Sequence, residues 1–385
     1  MTTSARWAIP LLFFAAAAAA DPGGSNQGMN TSFSTLITIP TNIEGLTSDY
    51  KGNLYTPARA AAGQPCPVYK IPVDNPSLIL VGNIPAPNAT TACSPSGLAF
   101  GPDGQLYVTQ ANNDIYRFTP SDSGPVPTAT VFATNVPGNN GLAFDFKGNL
   151  WTGDGTTGLG RVWRITPDGT PTEMFRIQPM ANQVTGAPSG VTSVGRSVLT
   201  VPTNNAQPLV ANGVQFDRDH NLFIADTARG ALWKVHLQSD GTPFVRIGCD
   251  ETFTADTLCL SHVWVQHPLL EGVDGFVLDQ AGNIWADANE RNAVIFVTGG
   301  SRHVIEVFRN PVNATTKLRN AGPLETPTSP VLMDHKLCTA NSDGNRRDNS
   351  PSTDGQVGGT GQPKGLITCL DQRVNIPGLP LPVHD

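Results

Sequence analysis

The chain has 385 residues, a formal net charge of −7 and only 14% charged residues. That balance disfavours nucleic acid and anionic membrane as partners, because both carry the same sign of charge. Gly and Pro number 39 and 33, which suits many turns between short strands. Apolar residues alternate with period two far more often than they recur with period 3.6, so the chain reads as all-β.

Taken in order, residues 1–20 predict a secretory signal. Arg6 gives the positive start, Ile9 to Ala20 an apolar core, and small residues precede Asp21. The apolar stretch is too short to span a bilayer comfortably, and no later segment approaches that length. Residues 21–34 are polar and Gly-rich and predict a loose arm, with 35–385 as a single domain. Leu36 to Ile39 predicts a strand that closes a ring.

Five hairpin repeats follow. They read IEGLTSDYKGNLY from Ile43, PSGLAFGPDGQLY from Pro95, NNGLAFDFKGNLW from Asn139, ANGVQFDRDHNLF from Ala211 and VDGFVLDQAGNIW from Val273. The repeat glycines are Gly45, Gly97, Gly141, Gly213 and Gly275. Their spacing matches the roughly 40–50 residues of a four-stranded blade plus insertions. Each hairpin is followed by two more strands, such as 114–118, 160–165, 231–235 and 293–297. Residues 178–208 predict a loop over one face. A degraded sixth copy spans 330–334 and 336–340, then a polar loop over 341–362 and a last strand at 365–370. The expectation is a six-bladed β-propeller with four-stranded blades, whose closure removes exposed sheet edges.

Six cysteines, Cys66, Cys93, Cys249, Cys259, Cys338 and Cys369, fit an oxidising compartment. Fifteen pairings are open; joining neighbours, 66–93, 249–259 and 338–369, is the simplest. Sequons at Asn30, Asn88 and Asn313 also point to secretion.

The informative variable is the residue before each repeat glycine: Glu44, Ser96, Asn140, Asn212 and Asp274. In a propeller these positions converge on the axis at one mouth. Two carboxylates held together there would repel. A calcium ion resolves this, because it accepts carboxylate and amide oxygens; zinc would call for His and Cys.

On these residues the chain resembles the senescence marker protein/gluconolactonase family of six-bladed propellers, related to diisopropyl fluorophosphatase-like enzymes. The resemblance covers about residues 40–300. It implies one calcium ion at the tunnel mouth, held by Glu44, Asn139, Asn212 and Asp274, and hydrolysis of a small lactone or ester. Asn139 is selected because the family ligand in the third blade lies two before glycine. Asn140 then takes the place of a family Asp that faces substrate. Asp274 would activate water or attack directly. The family's sugar-lactonase members carry an Arg before this motif, where this chain has Val136-Pro137-Gly138. That departure points to a neutral, fairly apolar small-molecule substrate.

His262, in the segment Leu260 to His267, is a further acid–base candidate, sharing a strand face with Trp264 and Gln266. Asp226 and Asp287 close their hairpins and predict turn hydrogen bonds. No G-x-S-x-G is present, so serine-hydrolase chemistry has no support. Two other readings stay open. One is a non-hydrolytic enzyme of secondary metabolism, promoting a hetero-Diels–Alder cycloaddition or a strictosidine synthase-like condensation. The other is a non-catalytic ligand-binding propeller. The expected state is a secreted monomer.

Overall fold

The structure is a computed structural model. It describes residues 31–111, 113–178, 211–248, 256–312, 314–315, 319, 322–342 and 364–380. The predicted signal, the loop expected over 178–208, Cys249, Asn30 and Asn313 fall wholly or almost wholly outside them, as does most of 341–362.

The hairpins form because their turns are built by one aspartate. In the third repeat, Asp145 accepts from the backbone N–H groups of Lys147 and Asn149, each at 2.9 Å. It also accepts from Asn149 Nδ2 at 2.9 Å and Trp151 Nε1 at 2.8 Å. Such an Asp side chain imitates a backbone turn. Gly148 between them has φ 78°, a conformation that costs a side chain but not glycine. Asp49, Asp217 and Asp279 repeat the arrangement with Asn53, Asn221 and Asn283. The second repeat has Gly101 at this place, and Asp103 takes over, accepting from Gln105 and Tyr107. This is the physical meaning of the recurring Gly-Asn-Leu-aromatic phrase.

Six small sheets result. The first blade runs Thr47–Ser48, Asn53–Pro57, Cys66–Pro72, Ile79–Ile84, and the second Pro95–Phe100, Leu106–Gln110, Asp114–Phe118, Thr130–Ala133. The fifth runs Val273–Leu278, Ile284–Ala288, Ala293–Val297, Val304–Arg309. The sixth combines Pro327–Met333, Lys336–Asn341 and Gly365–Leu370 with Phe33–Ile39 from the other end of the chain. Ring closure is therefore a pairing of the first strand with the last, from Phe33 opposite Leu370 to Ile39 opposite Gly365. The closing strand begins at Phe33, so Phe33 and Ser34 are sheet rather than arm.

Two blades exceed the four-strand plan. The third, whose innermost pair is Asn139–Phe144 and Leu150–Asp154, gains Thr257–Leu258 as a parallel fifth strand. In the fourth, the outer position on Ala231–Leu237 is filled in two pieces, Pro243–Phe244 and Val263–Gln266. Both additions come from the excursion that carries Cys259. Residues 260–267, expected as one strand, divide into a 3₁₀ turn at Leu260–His262 and a strand at Val263–Gln266.

The apolar cores lie between blades. Trp151, Phe175, Phe216, Leu222 and Trp233 form one such layer from the third and fourth blades. Phe223, Trp264, Phe276, Ile284 and Ile295 form the next, between the fourth and fifth. Burying a side chain of this size stabilises by about 1.5–3 kcal/mol, so blade-to-blade contact holds the ring. Disulfides join Cys66 to Cys93 and Cys338 to Cys369. Cys259 is also disulfide-bonded.

Candidate functional site

In the second to fifth repeats the first strand breaks register at its polar–glycine pair. Shifts fall between Pro95 and Leu98, Asn139 and Leu142, Ala211 and Val214, and Val273 and Phe276. A bulge re-aims side chains out of the ladder, and here it does so at the same level in successive blades. Glycine is needed because neighbouring backbones nearly touch. A Cβ at Gly45 would lie 2.1 Å from the Ser96 carbonyl oxygen, and one at Gly97 2.1 Å from that of Asn140. A Cβ at Gly141 would lie 3.1 Å from the Asn212 carbonyl oxygen, one at Gly213 2.6 Å from that of Asp274, and one at Gly275 2.5 Å from that of Thr328. Thr328 Oγ1 donates to the Glu44 carbonyl at 2.6 Å and closes the circle. Glu44, Ser96, Asn140, Asn212, Asp274 and Thr328 thus form one ring of touching backbones. A cavity of about 50 Å³ on the axis is lined by the ring glycines Gly97, Gly141, Gly213 and Gly275 and apolar neighbours such as Leu98, Leu142 and Phe276.

A second tier stands behind the ring. Fifteen residues after Glu44, Asn212 and Asp274, the chain has just left the second strand, and there it supplies a partner. Arg59 Nη2 donates to Glu44 Oε2 at 2.7 Å. Asn212 Nδ2 donates to Thr227 Oγ1 at 3.3 Å, and Asn289 Nδ2 donates to Asp274 Oδ2 at 2.8 Å. The corresponding residue for Asn140 is Gly155, where a Cβ would sit 2.3 Å from Asn140 Nδ2. With no side chain in the way, Asn140 instead donates to Glu44 Oε1 at 3.2 Å.

Among the predicted site residues, the structure therefore brings Glu44, Asn140, Asn212 and Asp274 into one ring and Glu44 and Asn140 into direct contact. Asn139 sits one residue earlier, opposite Asp154. Its Nδ2 donates to the Asp114 carbonyl at 3.2 Å. The Oδ1 atoms of Asn139, Asn212 and Asn289 are buried and have no hydrogen-bond partner among the described residues. Buried acceptors left this way are costly, and amide and carboxylate oxygens are the ligand types that a hard divalent cation takes. The donor set fits calcium and not zinc. Among the described residues no three His, Cys, Asp or Glu come together, so any cation here relies on amides for part of its shell.

Asp287 adds a feature that the sequence left as a turn residue. Fully buried, it accepts from Thr339 Oγ1 of the sixth blade, while its Oδ1 has no partner among the described residues. Burial pushes its carboxyl well above the usual carboxylate range; the Thr339 hydrogen bond opposes this, and the charge of Asp274 reinforces it. Asp226 does make the expected turn bond, accepting from Arg229 N at 3.0 Å, with Arg229 Nε and Trp233 Nε1 on its other oxygen. His262 is placed elsewhere. Its Nε2 accepts from Arg246 N at 2.8 Å and its Nδ1 lies 3.3 Å from the Lys234 carbonyl, on the outer part of the fourth blade. Its ring is spent on backbone groups there, not at the mouth.

No family model matches the chain, and no curated protein matches it. Solved structures do. A luciferin-regenerating enzyme superposes with a TM-score of 0.55 at 13% identity, covering 91% of this chain and 97% of that one. Regucalcin, a calcium-binding protein of Agrobacterium tumefaciens str. C58, gives 0.54 at 17%, covering 93% and 98%. A putative gluconolactonase gives 0.51 at 15%, covering 91% and 94%. The chain is a six-bladed β-propeller. These neighbours agree with the resemblance read from the repeat residues, and at such identities the likeness speaks for the fold.

Within the propeller, Arg59, Thr227 and Asn289 are partners of the mouth residues that sequence reasoning passed over. The signal was present: each lies fifteen positions after a mouth residue. Arg59 also bears on the substrate. The expectation of a neutral substrate rested on the missing arginine at 136–138, and the first blade supplies a guanidinium from another direction.

Proposed function

We propose that the protein is a divalent-cation-dependent hydrolase of a small lactone or ester, acting at the propeller mouth. The observation that carries this is the presence at the mouth of two carboxylates, Glu44 and Asp274, and of buried amide oxygens that lack partners among the described residues. Glu44, Asn139, Asn212 and Asp274 would hold the cation, calcium by the chemistry of the set. A bound cation there supplies Lewis-acid polarisation of the acyl oxygen. Asp274 is held by Asn289 through one oxygen, and it takes a proton from the attacking water. That water adds to the acyl carbon, the ring or ester C–O bond breaks, and the departing oxygen takes up the proton. Asn140 holds Glu44 in place through its amide.

Disulfides and the exposed Asn88 sequon support a secretory-pathway location. Asn88 Oδ1 caps its own turn, accepting from Thr90 N and Thr91 N, each at 2.8 Å. No helix among the described residues is long and apolar enough to cross a membrane.

One observation favours a second reading. Glu44 already has Arg59 on one oxygen and Asn140 on the other, so the acid is satisfied without a cation. A metal-free pocket that orients reactants for a cycloaddition or condensation would work chiefly by proximity. Elemental analysis of the purified, dialysed protein separates the two. About one calcium per chain, lost in Glu44→Gln and Asp274→Asn, is the expected result. A metal-free wild type would end the hydrolase reading and leave the second.

A further inference from the structure

The outer tier of the mouth consists of Arg59, Ala111, Gly155, Thr227 and Asn289, each fifteen positions after its mouth residue, and Ser342, which follows the second strand of the sixth blade fourteen positions after Thr328. One of the six is charged. Its position is built with care. Ala58 N donates to the Pro67 carbonyl at 2.9 Å, and Ala60 exchanges two backbone hydrogen bonds with Cys93, at 3.0 and 3.1 Å. The disulfide between Cys66 and Cys93 ties those two anchors together. Arg59 itself donates its backbone N–H to the Asn42 carbonyl at 2.9 Å, and its own carbonyl accepts from Thr41 Oγ1 at 2.8 Å. The backbone under this guanidinium is therefore clamped on both sides. Its side chain remains about one-third exposed (31%), against 15% for Glu44, and its Nε is buried without a partner among the described residues.

Charge arithmetic gives this placement a consequence. Glu44 and Asp274 contribute two negative charges and Arg59 one positive. The mouth is then negative by one without a cation and positive by one with a divalent cation. Without Arg59 the loaded mouth would be neutral. A cation drawn to Glu44 also competes with the guanidinium for the same carboxylate, which frees a planar fork of donors suited to a carboxylate.

Resting on the hydrolase reading above, we propose that Arg59 is the anion-receiving residue of the mouth. The cation-loaded site takes a ligand bearing a carboxylate, and Arg59 exchanges Glu44 for that group when the cation binds. Cation and carboxylate then bind with positive coupling, and coupling of this kind is reciprocal.

The test is calorimetric titration of calcium into the intact protein, with and without saturating 4-hydroxybutanoate, for wild type, Arg59→Gln, Arg59→Lys and Asp274→Asn. In wild type the carboxylate should tighten calcium binding about fivefold or more. Arg59→Gln should bind calcium at least as tightly as wild type alone and show no carboxylate effect, while Arg59→Lys should restore part of it. Retained calcium binding by Arg59→Gln shows that the variant is folded. Equal coupling in wild type and Arg59→Gln, or no coupling in wild type, overturns the proposal and leaves the cation site standing. Calcium binding absent from every protein, or unaffected by Asp274→Asn, overturns the cation site and this proposal with it.

Discussion

At the scale of single residues, the mouth is an argument about space and charge. The ring glycines are fixed by contact distance, since a Cβ at Gly97 would overlap the Asn140 carbonyl oxygen at 2.1 Å. Neither atom is the free end of a side chain, so the backbones must separate. Gly97→Ala is expected to cost about 2 kcal/mol or more, read as a lower urea midpoint with an unchanged slope. Asp287 makes a prediction about pH. Its folded-state carboxyl titrates above the unfolded value, so the folded protein holds a proton that the unfolded chain has already released. Stability then falls as pH rises past the unfolded value of about 4. This one group contributes a slope of up to about 1.4 kcal/mol per pH unit, until the folded carboxyl also ionises. Asp287→Asn keeps the neutral shape and removes the titration. Urea unfolding without divalent cation, at about pH 4.5 and pH 7.5, should show a smaller drop in the variant. An equal drop would mean that Asp287 is not the source.

The hairpin is the unit at the scale of elements. Its turn aspartate does the work of a turn backbone and also satisfies a buried indole. Removing Asp145 would leave two turn N–H groups and the buried Trp151 Nε1 without their acceptor. Asp145→Ala is expected to destabilise by about 2–4 kcal/mol, most of it from the orphaned buried donor. Trp151 is fully buried, so its fluorescence gives a direct readout of the same unfolding transition. The hairpins were the most legible part of the chain, because the aspartate bonds that shape their turns span at most six residues. The outer strands were less so. The split of the fourth blade's edge and the fifth strand on the third blade depend on where the Cys259 excursion lands, and no local pattern encodes that.

For the whole molecule, closure decides stability. The last blade has weak repeat character, yet it holds the ring shut by pairing Phe33–Ile39 with Gly365–Leu370. Cys338 and Cys369 face each other across its two middle strands and close a segment of 31 residues. Replacing both with Ser should cost about 2–4 kcal/mol. A doubly substituted protein with an unchanged thermal midpoint would show that strand pairing alone is sufficient.

The sequence by itself determined the all-β class, the number of blades, the hairpin boundaries and the list of polar residues that precede a glycine. These follow from short-range rules: alternation, turn chemistry and a repeat that a reader can align. Tertiary structure alone decided how those residues meet. That Asn140 reaches Glu44 depends on Gly155 having no side chain, and Arg59, two blades away from the expected arginine, faces Glu44 because of the clamp around Cys66 and Cys93. His262 was a reasonable acid–base candidate until the fourth blade's outer edge claimed both of its nitrogens. The reason is physical: a mouth on the axis is assembled from repeat strands 44 to 72 residues apart, and local sequence specifies each strand but not which side chain its neighbour leaves room for.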